Sequence, residues 1–379
     1  MKIQEIDTPR GRRWLLLDDD FRPVKPVNDY LKFLDYTKRS ENTLKTYASH
    51  MKVFCEYLQL RNIDIMDLTG SEDAGPLNVL ASFLVWLQYP NTVTSENVVY
   101  LDTVPRKRSD STVNSILGTV LLFYDYLARN ELATPLDVYR AKVNPQRFKP
   151  FLYGLLQKKQ VTTQSLFHIS TKPPELEYID PELYRSILSR CHTWRDKSLV
   201  AVMYEGGLRL GEALGLHVSD IEIWNNRIKI VSRHNPENHC NVKNKAEGCT
   251  YISTEAMEYI SQYFAYERAQ YDHDYVFLSL KGPTKGKPMQ PDTVEKLFKR
   301  IGKDLVVQIH PHMCRHGCAT ARLEAGWDEA SIQKLLRHVS VSSTRIYEHF
   351  RDELLLEKSK EYIIDQQGRF GWEDFDGKD

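Results

Sequence analysis

Four side chains near the carboxyl end of the sequence combine a candidate nucleophile with groups that bind anions and transfer protons. His312 and Arg315 lie three residues apart, and His338 follows Arg315 after 23 positions. Tyr347 follows after a further nine positions, and its phenol could attack a phosphodiester and hold it covalently without an energy cofactor. A guanidinium fork binds the oxygens of such a group, and imidazole exchanges protons near neutral pH. These residue types therefore indicate nucleophilic chemistry on an anionic group.

Helix signals place these side chains on consecutive short helices. Pro311 favours a helix start, and Asp328 favours the N-cap of the next helix. We therefore expect His312 and Arg315 on the first turn of one helix and His338 at the end of the following one. The tyrosine is expected on the next helix, so separate elements must converge to assemble the site.

This order of residues resembles the second signature of the tyrosine recombinases, the phage integrase family. The first signature is also recognisable, because Arg209 and Glu212 take the places of the family's first arginine and a supporting acid in the segment GGLRLGEALGL. The resemblance extends to the family's core-binding domain, which is similar to two helical segments of this chain: SENTLKTYASHMKVFCEYL and DSTVNSILGTVLLFYDYLARNEL. Together the resemblance covers roughly residues 24 to 350.

The resemblance implies a role for each matching residue. Tyr347 would be the nucleophile that forms a 3′-phosphotyrosyl link, and Arg209 and Arg315 would bind the scissile phosphate. The two histidines would assist by hydrogen bonding or proton exchange. Glu212 would orient the first arginine, although a plain surface acid is the alternative. The implied catalytic set is Arg209, Lys243, His312, Arg315, His338 and Tyr347.

The sequence departs from the family pattern at two places. The family's general acid is a lysine in a β-hairpin, and the segment NVKNKAEGCTYIS puts Lys243 in register, with Lys245 as the alternative. The arginine that usually follows a few residues later is absent, and Gly248 and Cys249 stand there instead. The second departure is LLRH in place of the common LLGH, which puts Arg337 before the second histidine. This arginine implies either an altered local backbone or an extra phosphate contact.

Apolar periodicity divides the elements that position these residues between two domains. Apolar residues recur at spacings of three and four from Ser40, around Leu80 and from Val113, which predicts amphipathic helices. Farther along, isoleucines alternate on both sides of Asn225, which predicts a β-hairpin among further helices. With the resemblance, this predicts a two-domain fold: an all-α, SAM-like core-binding domain and a mainly α (α+β) catalytic domain with a small β-sheet. The predicted segments are an N-terminal arm (1–23), the core-binding domain (24–150), a linker (151–175), the catalytic domain (176–350) and a C-terminal tail (351–379) that could dock on another subunit.

The overall charge balance conceals two opposed regions. Lysine plus arginine and aspartate plus glutamate number 51 each, which taken alone argues against a nucleic-acid partner. Residues 105–160, however, hold ten basic against four acidic residues, whereas residues 352–379 hold four basic against nine acidic ones. We therefore expect the basic stretch to face DNA, with a solvated turn as the alternative for its first cluster. The candidate DNA-binding residues are Arg106, Lys107, Arg108, Arg147 and Lys149.

A metal site is the main alternative interpretation of the histidine-rich segment. His312 and His316 form one pair at helical spacing, and Cys314 and Cys318 form another. The two pairs project to opposite sides of a helix, so this helix alone cannot close a tetrahedral site. We therefore expect no metal and no cofactor.

Composition also indicates the cellular compartment of the protein. No apolar run is long enough to span a membrane, and the first residues lack the hydrophobic segment of a signal peptide. Six cysteines in 379 residues are too few for a disulfide scaffold and are expected as reduced thiols. These features predict a soluble, cytoplasmic protein.

The family resemblance implies site-specific breakage and rejoining of double-stranded DNA, with two sites held by a homotetramer. The N-terminal arm and Arg337 favour an integrase or transposase of a mobile element. Two alternatives remain open from the sequence: a catalytically silent DNA-binding regulator on the same scaffold, and an enzyme that relaxes DNA like a type IB topoisomerase.

Overall fold

The computed structural model divides the chain into two compact units, Met1–Pro173 and Pro174–Asp379. Each unit has its own hydrophobic core. The division falls within the segment 151–175 that the sequence analysis interpreted as a linker. The structure describes residues 1–9, 11–68, 75–90, 106–143, 161–171, 176–240, 242 and 246–337.

Helices form the core of the first unit, as the apolar periodicity predicts. The second helix begins after Ser40, whose side chain accepts a hydrogen bond from the backbone N–H of Thr43. Ser109 caps the fourth helix in the same way through the N–H of Thr112. The elements are β1 (Lys2–Thr8), β2 (Gly11–Leu17), α1 (Lys25–Tyr36), α2 (Glu41–Arg61), α3 (Pro76–Gln88), α4 (Asp110–Arg129), β3 (Tyr139–Val143) and β4 (Val161–Ser165).

The first two strands form an antiparallel hairpin that belongs to the helical core. Trp14 and Leu16 are buried among the residues of α1 and α2. The Asn28 side chain in α1 accepts a hydrogen bond from the N–H of Leu16 at 2.8 Å and donates one to its carbonyl at 2.9 Å. The residues predicted to form an N-terminal arm therefore pack against the helices of the first unit and are hydrogen-bonded to α1.

Leu16→Ala should destabilise the first unit, because the leucine side chain is fully buried in the helical core. We expect opening of α1 and α2 to become easier by about 2 to 4 kcal/mol. Hydrogen–deuterium exchange of their backbone amides measures this change. Leu15→Ala is the matched control, since Leu15 lies on the other face of the strand and is only partly buried. Equal exchange in the two variants would contradict an integral hairpin.

The second unit is mainly helical and carries a small antiparallel sheet. Its core surrounds α6, and its largest fully buried side chains include Tyr263, Phe277 and Phe298. A π-helical segment, Tyr263–Arg268, continues α8. The elements are α5 (Pro181–Ser189), α6 (Trp194–Glu205), α7 (Leu210–Leu214), β5 (Ile221–Glu222), β6 (Arg227–Ile230), β7 (Gly248–Tyr251), α8 (Thr254–Gln262), α9 (Pro291–Leu305), α10 (Pro311–Glu324) and α11 (Glu329–Leu335).

The predicted hairpin around Asn225 is present, with a shorter first strand than expected. Ile221 pairs with Ile228 across β5 and β6, and β6 pairs in turn with β7. Ile223 does not continue the strand, because it begins a 3₁₀ turn that ends at Asn226 with a φ of +50°. Asparagine tolerates this left-handed conformation, which explains why the chain turns there.

The fold class predicted from the sequence is confirmed for the described residues, which form mainly helices with small antiparallel sheets. None of the helices in these ranges combines the length and the apolar composition needed to cross a bilayer.

Candidate active site

A buried carboxylate in the second unit contacts three guanidinium groups. The side chain of Glu212 is 0% exposed, and its Oε1 accepts a hydrogen bond from Nη1 of Arg209 at 2.7 Å. Its Oε2 accepts one from Nη2 of Arg337 at 2.8 Å, and Nη1 of Arg315 lies 3.7 Å from the same oxygen. One carboxylate therefore connects arginines from three distant parts of the sequence.

Local backbone geometry explains the spacing of Arg209 and Glu212. Arg209 is the N-cap residue of α7, and Glu212 is the third residue of that helix. From this position the carboxylate reaches back and accepts a hydrogen bond from the backbone N–H of Arg209 at 3.0 Å. The same carboxylate therefore binds both the backbone N–H and the side chain of Arg209.

The turn before Arg209 depends on a glycine. Gly207 has a φ of +62°, and a Cβ there would lie 2.7 Å from Sγ of Cys318 and from Cδ2 of Leu336. Any other residue would clash with α10 and with the end of α11. The glycine therefore allows the first arginine to approach the helix that carries the second one.

Arg315 lies on the first part of α10 and joins three elements. Nη1 donates a hydrogen bond to the carbonyl of Gly207 at 2.6 Å, and Nη2 donates to the carbonyl of Leu336. Burial lowers the pKa of Arg315 to about 9, with Arg209 acting in the same direction and Glu212 opposing them. The guanidinium is therefore fixed in place and remains protonated at neutral pH.

The ionisation of Glu212 depends on its partners. Burial by itself would raise the pKa of this carboxyl, but Arg337, the backbone N–H of Arg209 and the charge of Arg315 together hold it below its ordinary value. Glu212 is therefore an anion at neutral pH and offsets part of the positive charge around it.

Arg337 combines an unusual backbone with an inward side chain. Its φ of +54° lies in the left-handed region, which an arginine adopts at an energetic cost. Besides its bond to Glu212, the guanidinium donates to the carbonyl of Leu335 at 2.8 Å. The sequence pointed to this position only through its departure from the family glycine, and it did not predict the contact with Glu212.

His312 is exposed on the first turn of α10, the helix that also carries Arg315. The ring of His316, one turn later, packs edge-on against it, with the ring centroids 4.5 Å apart. Burial is the main cause that lowers the pKa of His316 to about 4, and His312, His310 and Arg315 act in the same direction. His316 is therefore neutral near pH 7.

Cys314 and Cys318 face the interior, where both are fully buried. Burial raises the pKa of both thiols, so they are protonated near neutral pH. Within the described ranges, no group of three or more histidine, cysteine, aspartate or glutamate side chains is placed to hold a metal ion.

Two arginines of the basic cluster before α4 bind groups within the first unit. Nη1 of Arg106 contacts Asp110 at 3.0 Å, and Nη1 of Arg108 donates to the carbonyl of Leu87 at 3.0 Å. Lys107 is exposed. Of the other predicted residues, six lie outside the part of the chain that the structure describes: Arg147, Lys149, Lys243, Lys245, His338 and Tyr347.

Comparison with known proteins assigns the family. A sequence model described as the Phage integrase family matches residues 177–353. Transposase A from transposon Tn554 of Staphylococcus aureus is 34% identical over 367 residues, which cover 96% of this chain and 98% of that protein. The chain belongs to the phage integrase family of tyrosine recombinases. It is therefore a tyrosine-type site-specific DNA recombinase, as its signature residues predicted.

Solved structures of tyrosine recombinases share the fold. The XerH site-specific recombinase bound to its palindromic difH substrate is 18% identical, with a TM-score of 0.56 over 88% of this chain and 83% of that one. The Tn1549 transposon integrase in complex with circular intermediate DNA is 16% identical, with a TM-score of 0.56 over 85% of this chain and 94% of that one. The two-domain fold class predicted from the sequence is confirmed by these neighbours.

Glu212→Gln should destabilise the second unit, because three guanidinium groups would lose the negative charge that this buried side chain places beside them. We expect a loss of about 3 kcal/mol, or a midpoint lowered by about 6 to 12 °C. Differential scanning calorimetry of the full chain measures it. Glu222→Gln is the control, since that carboxylate binds Arg227 and Lys229 at the surface and should matter much less. Equal midpoints for the two variants would contradict the central role of Glu212.

His316 should make the second unit less stable as the pH falls from 6.5 towards 4. Its pKa is about 4 in the folded chain against 6.5 for an ordinary histidine, so the unfolded chain binds the extra proton between these values. Stability therefore rises with pH across this window. His316→Gln cannot titrate and should show a shallower dependence, which unfolding at a series of pH values would measure. Parallel profiles for both proteins would refute the buried, neutral state of His316.

Proposed function

We propose that this recombinase moves a mobile DNA element by cutting and rejoining DNA strands through a 3′-phosphotyrosyl intermediate. The cluster of Arg209, Glu212 and Arg315 carries the proposal, because it places guanidinium groups around one buried carboxylate. The Tn554 relative supports the mobile-element role, since the similarity extends over 96% of this chain and that protein is a transposase.

Arg209 and Arg315 would bind the nonbridging oxygens of the scissile phosphate. The charge of Arg337 offsets the single negative charge of Glu212, which leaves the two positive charges of Arg209 and Arg315 for an anion. These charges are fixed before DNA binds, because the guanidinium groups already bind carboxylate and carbonyl oxygens. Such preorganised groups stabilise the charge that develops in the transition state.

Tyr347 would supply the nucleophile. Its phenol loses a proton as its oxygen bonds to phosphorus, and the bond between phosphorus and the 5′ oxygen breaks. That oxygen takes up a proton from Lys243, with Lys245 as the alternative donor. His312 and His338 would donate hydrogen bonds to the phosphate or accept the phenolic proton. Attack by a 5′ hydroxyl on the phosphotyrosine reverses these steps and reseals the strand.

The partner would be double-stranded DNA, with two recombination sites held by a homotetramer. Lys107, Arg147 and Lys149 are the candidates for phosphate contacts from the first unit, because they belong to the stretch 105–160, whose net charge is positive. The acidic tail, 351–379, would dock on a neighbouring subunit. We place this activity in the cytoplasm.

Tyr347→Phe should bind DNA normally but form no covalent adduct, because phenylalanine lacks the attacking oxygen. The substrate is a nicked duplex that spans the joined ends of the element encoding the chain, and the nick prevents resealing. A denaturing gel detects the adduct, and a gel-shift titration measures binding. Tyr362, the nearest competing tyrosine, lies beyond the signature motif, so Tyr362→Phe is the matched control and should keep both activities. An adduct formed by Tyr347→Phe would disprove the assignment, and binding without any wild-type adduct would indicate a silent DNA-binding protein.

A further inference from the structure

The two departures from the family pattern meet in the structure. The chain lacks the arginine that usually follows the hairpin lysine, and Gly248 lies in that stretch at the start of β7. It also carries Arg337 where the family commonly has glycine. A Cβ built on Gly248 would lie 3.3 Å from Cδ and 3.5 Å from Cγ of Arg337. The aliphatic stem of the arginine therefore occupies the space beside the glycine.

Neither residue is the one that its own backbone favours. Position 337 has a φ of +54°, the left-handed region where glycine is the least strained residue. Gly248 pairs with Ile230 in a regular antiparallel strand, where a side chain is normally accommodated and glycine is unfavourable. The backbone thus explains neither choice. The stem of Arg337 accounts for the glycine, and the bond to Glu212 accounts for the arginine.

The guanidinium of Arg337 ends inside the arginine cluster. Its Nη2 binds Oε2 of Glu212 at 2.8 Å, and the residue is 8% exposed. Among the groups that lower the pKa of Glu212, Arg337 is the strongest. Arg337 also directly precedes His338 in the sequence. Its side chain therefore links the backbone just before that histidine to Glu212, which also binds Arg209.

We propose that Arg337 and Gly248 form a reciprocal exchange: relative to the family pattern an arginine stands at position 337 and a glycine at position 248, and Arg337 binds Glu212 from the end of α11 through the space that Gly248 leaves. This inference rests on the proposed function of the same site. Arg337 acts as a positioning residue: its Nη2 binds Oε2 of Glu212, while Nη1 of Arg315 stays 3.7 Å from that oxygen and bonds to the carbonyl of Gly207. Gly248 provides the space that the stem needs.

Restoring the family residues at both positions tests the exchange. Arg337→Gly relieves the backbone but removes the guanidinium, so single-turnover cleavage of the nicked duplex should slow by about 10- to 100-fold. DNA affinity should stay within about threefold of wild type, since the residue acts through Glu212. Gly248→Arg alone should also slow cleavage, because the added side chain would displace the stem of Arg337, whose Cδ lies 3.3 Å from the new Cβ.

The double variant Arg337→Gly/Gly248→Arg should recover cleavage to within about threefold of wild type, because one guanidinium again fits the shared space. Arg337→Gly/Cys249→Arg is the matched control. Cys249 is exposed and adjacent in β7, so its side chain points to the opposite face of the strand and should give no rescue.

Three results would overturn the inference: full cleavage by Arg337→Gly, no recovery in the double variant, or equal recovery in the Cys249 control. A parallel loss of DNA affinity in Arg337→Gly would also overturn it, because that result indicates a direct DNA contact. Calorimetry of the same proteins should show the same pattern in the midpoint of the second unit. This readout tests the exchange even if wild type forms no adduct, a result that would count against the proposed function alone.

Discussion

The ion cluster around Glu212 is the interaction on which the second unit depends. Three guanidinium groups lie within 3.7 Å of the Glu212 carboxylate, and without its negative charge they would repel one another. Without the guanidinium groups, burial would favour the protonated, neutral form of the carboxyl group. The cluster joins the turn before α7, the start of α10 and the end of α11. Folding and the proposed phosphate binding therefore depend on the same charges, so a change at Glu212 should affect both.

The cluster also explains why net charge is a poor guide to the partner of this chain. The 51 basic and 51 acidic residues cancel in total, yet the site concentrates positive charge in a buried position. Elsewhere, basic residues are neutralised within the fold: Arg13 pairs with Asp35 at 2.6 Å, and Arg106 pairs with Asp110. What matters for an anionic substrate is which cations remain close together, and that depends on tertiary structure.

Local signals in the sequence predicted local structure well. The helices α2 and α4 follow from apolar residues at helical spacing and from the caps Ser40 and Ser109. The contact between Arg209 and Glu212 could be anticipated because residues three apart meet at a helix start. Contacts between distant segments could not be predicted, since nothing local specifies them. Arg337 binds Glu212 across 125 residues, and the N-terminal hairpin packs on helices that follow it.

The arginine cluster is proposed to serve a tyrosine nucleophile at position 347. Mapping the protein–DNA adduct tests it most directly: wild type is trapped on the nicked duplex, digested with a protease, and the DNA-linked peptide is sequenced by mass spectrometry. The account predicts one linked peptide, with the 3′ phosphate attached to the phenolic oxygen of Tyr347. Attachment to another residue, such as Tyr362, would contradict it.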